Sequence, residues 1–250
     1  MDGYHYVALY ASYGTAAVGL FAALRAVPSL WPGRAAATFP HPWREVGWVL
    51  LAAVAVLAVG QLYQRGLRLP TRGGLGPFLE AVNQAVIFSP LFVLLWIRRQ
   101  GAETVWLPTD RVGWRLLVGV ILAMAALAVF SSLRPDMGSW LSLWAFVYRW
   151  EHVGLAAQVF FEDVAVAMLM VRVIALMKNR SAAAGIVAGL FAAGHIPAML
   201  GKGASVTELD TLVLDAVLGF VLLSVIAKSR DIWWFWVVHF SMDMTQFAGR

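Results

Sequence analysis

The sequence predicts an all-α fold, a polytopic membrane helix bundle of about eight transmembrane helices. Of its 250 residues 61% are hydrophobic and only 13% are charged. The mean hydropathy of +0.74 is far above that of an ordinary soluble domain. Apolar stretches of about 20 residues, long enough to cross lipid as helices, recur along the whole chain. We therefore expect a multi-pass integral membrane protein, located in the inner membrane of a prokaryotic cell.

Eight apolar segments account for most of the chain. They are predicted near residues 4–27, 43–64, 77–97, 112–132, 151–177, 181–200, 208–227 and 231–248. The linkers contain turn-forming stretches such as "PSLWPG" and "RLPTRGGLGP". The aromatic stretch "GSWLSLWAFVYRW" is too short to span and is predicted to lie at the membrane interface. Since no soluble segment remains, residues 1–250 are expected to form a single integral membrane domain.

Charge and cysteine content exclude several kinds of function. The 19 Lys and Arg residues give a net charge of +5 but are scattered between apolar segments. We therefore expect the lipid bilayer as a partner and no nucleic acid. The absence of Cys excludes disulfides, thiolate catalysis and cysteine-ligated metals. Because the first apolar segment follows Asp2 and no basic stretch, we expect a retained span and not a cleaved signal peptide.

Few ionisable side chains lie within the apolar segments, where each costs roughly 2.5 to 3.5 kcal/mol. They are Glu80, Glu162, Asp163, Arg172, His195, Asp215, His239 and Asp243. Three local patterns contain five of them: "FFED" with Glu162 and Asp163, "FAAGH" ending at His195, and "HFSMD" with His239 and Asp243. Residues four apart share a helix face, so His239 and Asp243 are predicted to face one cavity. The adjacent acids Glu162 and Asp163 are predicted to point in different directions.

The remaining polar residues have simpler interpretations. Glu80 and Asp215 match no pattern and are predicted to pair with polar groups inside the bundle, such as Asn83 or Gln84, outside the site. The stretch "SVTE", which begins at Ser205, is typical of a helix capping box, so that serine is not a candidate nucleophile.

The clustered residue types suit the hydrolysis of a peptide bond. That reaction needs a water, a base that takes its proton, and donors where the oxyanion develops. Glu162, in an apolar helix, suits the base, and His195 can hold the water or protonate the leaving amine. His239 can donate to the oxyanion. Asp243 can donate when it is protonated, or orient His239 when it is ionised.

The three patterns resemble the motifs EExxxR, FxxxH and HxxxN or HxxxD of the CAAX protease and bacteriocin-processing (CPBP) family of intramembrane endopeptidases. The resemblance covers residues 145–248, which we therefore expect to form the catalytic core. It implies an all-helical fold with a water-filled cavity and a membrane-associated protein or peptide as substrate, including prenylated or C-terminally anchored ones. By position it assigns Glu162 as the catalytic glutamate, Asp163 as the second acid, His195 as the histidine of FxxxH, and His239 with Asp243 as the oxyanion-stabilising motif.

Two positions depart from the family pattern. The family arginine would fall at Ala167, and the second acid is Asp163 where the motif has glutamate. Arg172 cannot replace the arginine on the same helix. It lies nine residues after Asp163, roughly 900° around the helix, which places it on the opposite face.

The sequence is compatible with three hypotheses about the function. The absence of an HExxH motif favours a glutamate-type protease with no metal and no other cofactor. A zinc-dependent protease would use Glu162, His195, His239 and Asp243 as ligands. The third reading, from another class, is a non-catalytic membrane scaffold or bacteriocin-immunity protein.

Overall fold

The protein is an all-α membrane helix bundle. The computed structural model describes residues 3–31, 37–201, 203 and 211–248, and the regular elements of these ranges are all helical. The α-helices are α1 (Gly3–Ala26), α2 (Pro42–Gln64), α3 (Gly76–Ile87), α4 (Ser89–Ile97), α5 (Val112–Leu133), α6 (Trp140–Val147), α7 (Val153–Met177), α8 (Arg180–Gly201), α9 (Thr211–Ser229) and α10 (Ile232–Asp243). A 3-10 turn, Met244–Phe247, follows α10.

Five of the described helices are long and apolar enough to cross a membrane, namely α1, α2, α5, α8 and α9. Helices α3 and α4 would together form a sixth span with a bend of 48° at their junction. The predicted single helix over 77–97 is broken there because Pro90 has no backbone N–H to continue the hydrogen-bond ladder. The predicted count of eight is not confirmed. Helix α10 has only 12 residues, about 18 Å of helix.

Helix α7 lies in the middle of the bundle, where it packs against α2, α3, α8 and α10. Helix α5 packs against α1 and α10, and α9 packs against α8 and α1. Glycine permits the close approach of α5 and α10, since a Cβ atom on Gly119 would lie 2.9 Å from Trp234 Cα. Helices α1, α7, α8, α9 and α10 consequently surround a common space.

The start of α10 is fixed by the N-cap residue Asp231. Its carboxylate accepts hydrogen bonds from the Trp233 backbone N–H at 2.9 Å and from Trp31 Nε1 at 2.9 Å. Arg115 Nη1, on α5, donates to the same carboxylate at 2.6 Å, and the Arg115 and Asp231 side chains are fully buried. These bonds fix the position of the helix that carries His239.

Arg172 is buried on the side of α7 that faces away from the second acid. Its Nη1 donates to the backbone oxygens of Thr104 and Met168, each at 2.8 Å, and its Nη2 donates to Gln100. It therefore does not take the place of the motif arginine beside Asp163, in agreement with the helical geometry.

Glu80 lies on α3 and accepts hydrogen bonds from Asn83 Nδ2 at 3.2 Å and Gln84 Nε2 at 2.9 Å. The prediction that it pairs with these amides inside the bundle is confirmed. The capping box predicted to begin at Ser205 lies outside the described residues.

Candidate active site

A cavity of about 560 Å³ opens between α1, α7, α8, α9 and α10. The five predicted site residues line it: Glu162, Asp163, His195, His239 and Asp243. They come from α7, α8 and α10, and their sequence positions differ by up to 81 residues. The fold thus brings all three sequence patterns to one place.

On α7 two polar side chains one helical turn apart face the cavity. Gln158 Nε2 donates to Glu162 Oε1 at 2.8 Å, across one helical turn, and both side chains line the cavity. The amide engages one oxygen of the carboxylate and so restricts the rotation of the Glu162 side chain.

The adjacent acid Asp163 contacts a different helix, as predicted, but it also borders the cavity. Its Oδ1 lies 2.8 Å from His239 Nδ1 on α10, and its side chain is almost completely buried. Asp163 Oδ2 is buried without a hydrogen-bond partner in the part of the chain that the structure describes. The two acids of "FFED" therefore face the same space and do not point to separate regions of the bundle.

This contact changes the role available to Asp243. The sequence suggested that Asp243, one turn after His239 on the same helix, orients the ring. In the structure the hydrogen-bond partner of His239 Nδ1 is Asp163, whereas Asp243 Oδ1 accepts a hydrogen bond from Gln246 Nε2 at 2.7 Å. The carboxylate on the neighbouring helix holds the imidazole because it faces Nδ1 across the α7–α10 contact.

His195 is held by the first residue of its own motif. Its Nδ1 lies 2.9 Å from the backbone oxygen of Phe191, and the Phe191 and His195 rings meet edge to face with centroids 4.8 Å apart. Because a carbonyl oxygen only accepts, Nδ1 carries the hydrogen and donates. In the neutral ring Nε2 is then a lone-pair acceptor, which is the state that a water-binding histidine needs.

Two polar side chains that were not predicted to belong to the site, Asp215 and Tyr6, also line this cavity. Asp215, on α9, was placed outside the site, but it lines the cavity and its Oδ1 accepts from the Tyr6 hydroxyl at 3.4 Å. An acid within an apolar helix was the available signal for Asp215. No comparable signal exists for Tyr6, since its place in the cavity depends on the packing of α1 against α9.

Apart from two tyrosines, the ionisable residues described on the cavity wall are acids and histidines. They are Glu162, Asp163, Asp215, Asp243, His5, His195 and His239, with no Lys or Arg among the described lining residues. No group of three or more His, Asp or Glu side chains within the described ranges is arranged to hold a metal ion. The four residues that the zinc hypothesis names as ligands thus line one cavity, but they are not arranged as a coordination shell.

The bundle and its cavity define a helical membrane protein with carboxylate and histidine side chains on the wall of an internal cavity. Residues 139–245, from just before α6 to the turn after α10, match the family described as type II CAAX prenyl endopeptidase, Rce1-like. This match supports a relationship of the segment to the CAAX protease family, which points to an intramembrane protease in general. The segment contains all three sequence patterns, whereas α1 to α5 lie outside it. No curated protein and no solved structure matches the chain.

Proposed function

We propose that the protein is an intramembrane endopeptidase of the CPBP type in which Glu162 and His195 activate a water. The observation that carries this proposal is the meeting of three family motifs on the wall of one cavity within the bundle. Residues 145–248 are the proposed catalytic core. The proposed substrate is a peptide bond of a membrane-associated protein, including prenylated or C-terminally anchored ones, in the inner membrane of a prokaryotic cell.

In the proposed reaction Glu162 takes a proton from the attacking water. Gln158 engages only Oε1 of the carboxylate, so the second oxygen is available to the water. His195 presents Nε2, because Nδ1 donates to the Phe191 carbonyl. Nε2 accepts a hydrogen bond from the water before attack and, once protonated, donates to the nitrogen of the leaving amine.

His239 is the proposed oxyanion donor, through Nε2–H. The Nδ1 atom of His239 and the Oδ1 atom of Asp163 share a hydrogen bond. Nε2 can therefore carry a hydrogen only when the imidazole and the carboxyl group together hold two protons, so that the two side chains have no net charge. Asp163 makes this state favourable by accepting from the charged ring, as the carboxylate of a catalytic triad does. Asp243 remains available as a second donor in its protonated form, because Asp163 supplies the contact that orients His239.

A substrate trap tests the proposal. Glu162→Gln, purified from membranes of the native host after crosslinking, should retain substrates that the wild-type protein cleaves and releases. Mass spectrometry of the captured peptides identifies candidates, which are then incubated with both proteins in liposomes. Cleavage of a captured candidate by the wild type and not by Glu162→Gln supports the proposal. A set of captured candidates that the wild type leaves intact contradicts it.

A further inference from the structure

The position of Asp215 relative to His195 follows from the packing of α8 and α9. These consecutive helices are joined by a short connection and pack against each other, as an antiparallel pair does. Their closest approach is marked by Gly219, whose Cβ would lie 3.4 Å from Ala188 Cβ. In this register Asp215, one turn closer to the connection, is expected to face the turn of α8 around Ala192. His195 follows Ala192 by three residues, about 4.5 Å along the helix axis.

Two observations agree with this packing of α8 against α9. Asp215 and His195 line the same cavity and interact electrostatically. The Tyr6 hydroxyl, on the buried face of α1, donates to Asp215 Oδ1 at 3.4 Å. A carboxylate from one helix and a hydroxyl from another thus line the same cavity as the histidine of FxxxH.

We propose that Asp215 is a positioning residue for His195, with Tyr6 orienting its carboxylate. In the reaction proposed above, the proton released by water passes through Glu162 to His195 Nε2 and then to the leaving amine as the C–N bond breaks. His195 is positively charged during this transfer, and the Asp215 carboxylate stabilises that charge. The catalytic part rests on the proposed function, whereas the pairing of Asp215 with His195 does not.

Other titratable groups also face the space around His195. They are His5, Tyr6 and Tyr13 on α1, Glu162 and Asp163 on α7, and His239 and Asp243 on α10. Glu162 and Asp243 interact electrostatically with His195 as well. In the proposed reaction Glu162 acts on the water and Asp243 on the oxyanion. Asp215 is therefore the acid that we assign to His195. The site then contains two histidines that each have an aspartate from a neighbouring helix.

The chemical reactivity of His195 tests the pairing without any protease assay. Diethyl pyrocarbonate modifies the unprotonated imidazole nitrogen, and the His195 side chain is exposed with Nε2 available. The Asp215 carboxylate restrains the ring, so Asp215→Asn should free Nε2 and accelerate modification by about three- to tenfold, as the loss of one polar contact does. Tyr6→Phe should give a smaller acceleration, and Asp215→Glu should restore a rate near that of the wild type. The rate is followed by mass spectrometry of the peptide that contains His195.

Tyr10→Phe is the matched control. The Tyr10 hydroxyl also joins α1 to α9, by donating to the backbone oxygen of Leu214 at 2.7 Å, but Tyr10 does not line the cavity. Its loss should leave the modification rate of His195 unchanged. An equal acceleration in Tyr10→Phe would assign the effect to loosened helices and overturn the pairing. An unchanged rate in folded Asp215→Asn would overturn it as well.

Kinetics then test the catalytic part. Asp215→Asn should lower kcat about tenfold with little change in KM, and Asp215→Glu should recover most of kcat. An unchanged kcat in Asp215→Asn overturns the catalytic role. If the wild-type protein cleaves no candidate substrate while Asp215→Asn still accelerates modification, the proposed function fails and the pairing stands.

Discussion

Acids on the cavity wall and acids elsewhere in the bundle have opposite surroundings. On α2, Glu45 pairs with Arg98 and accepts from Gln100 Nε2 at 2.7 Å, and on α3 Glu80 accepts from two amides. The acids around the cavity have no Lys or Arg beside them among the described lining residues, and Asp163 Oδ2 has no hydrogen-bond partner there. An acid that pairs with a cation or accepts hydrogen bonds from amides is expected to stabilise the bundle. An acid that faces the cavity beside histidines is available for proton transfer.

The largest expected effect separates these two kinds of acid directly. Glu162→Gln should lower proteolysis by about 10²- to 10⁴-fold, because the general base is lost while the side-chain volume is kept. His195→Ala should have a loss of the same order. Glu80→Gln is the matched control, and it should retain wild-type turnover. Turnover of Glu162→Gln within a few fold of wild type, measured on a purified membrane substrate, would break the comparison.

The second expected effect concerns Asp163, which we propose to act through His239. His239→Ala and Asp163→Ala should each lower kcat by about 10²- to 10³-fold, as the loss of one oxyanion donor does. The double variant should be no worse than His239→Ala alone, because the two side chains form one unit. Multiplied losses in the double variant would show that Asp163 has an independent role.

A paired acid should instead affect stability. Asp231→Asn leaves the buried Arg115 without this counter-charge, so unfolding in mixed detergent micelles should become easier by about 3 kcal/mol. The specific activity of the folded fraction should remain near that of the wild type, since Asp231 does not line the cavity. Activity lost at unchanged stability would contradict the structural role of this ion pair.

A smaller effect is expected at Asp243. Asparagine keeps an oxygen that accepts from Gln246 and adds an N–H₂ group that donates to the oxyanion at any pH. Asp243→Asn should therefore retain activity within a few fold, with the rate sustained at alkaline pH where the aspartate would be ionised. A rate lowered across the whole pH range would restore the orienting role that the sequence suggested for Asp243.

The smallest expected effect is that of metal removal. Because no described group of three or more acids and histidines forms a coordination shell, strong chelators should leave turnover unchanged. The measurement is activity after exhaustive dialysis, together with the metal content of the purified protein. Stoichiometric zinc and activity that returns only with zinc would establish the metal-dependent reading.

The sequence predicted most helices well, and it predicted which motif residues share a helix face, because both are local signals. Apolar segments define α5, α7 and α8 almost to the residue, and the spacing of "FAAGH" and "HFSMD" places side chains one helical turn apart. The break between α3 and α4 was missed, although Pro90 signalled it. A tolerated kink and a separate helix have the same sequence signal, and packing decides between them.

Contacts between helices could not be predicted in the same way. The hydrogen bond from His239 to Asp163 and the approach of Tyr6 to Asp215 depend on which helices are neighbours. Periodicity gives the face on which a residue lies, but not the helix opposite that face. For this reason the sequence offered only Asp243 as a group that could orient His239, and Asp215 was left out of the site.

The cavity is built from both ends of the described chain, with His5 and Tyr6 of α1 opposite Gln246 and Phe247. During biosynthesis α1 is made before the other described helices, and the residues after α10 are the last of these to leave the ribosome. The enclosing wall is therefore complete only after the final helix has been inserted. A nascent chain that already carries Glu162 and His195 still lacks His239, so the timing of membrane insertion itself delays the assembly of this site.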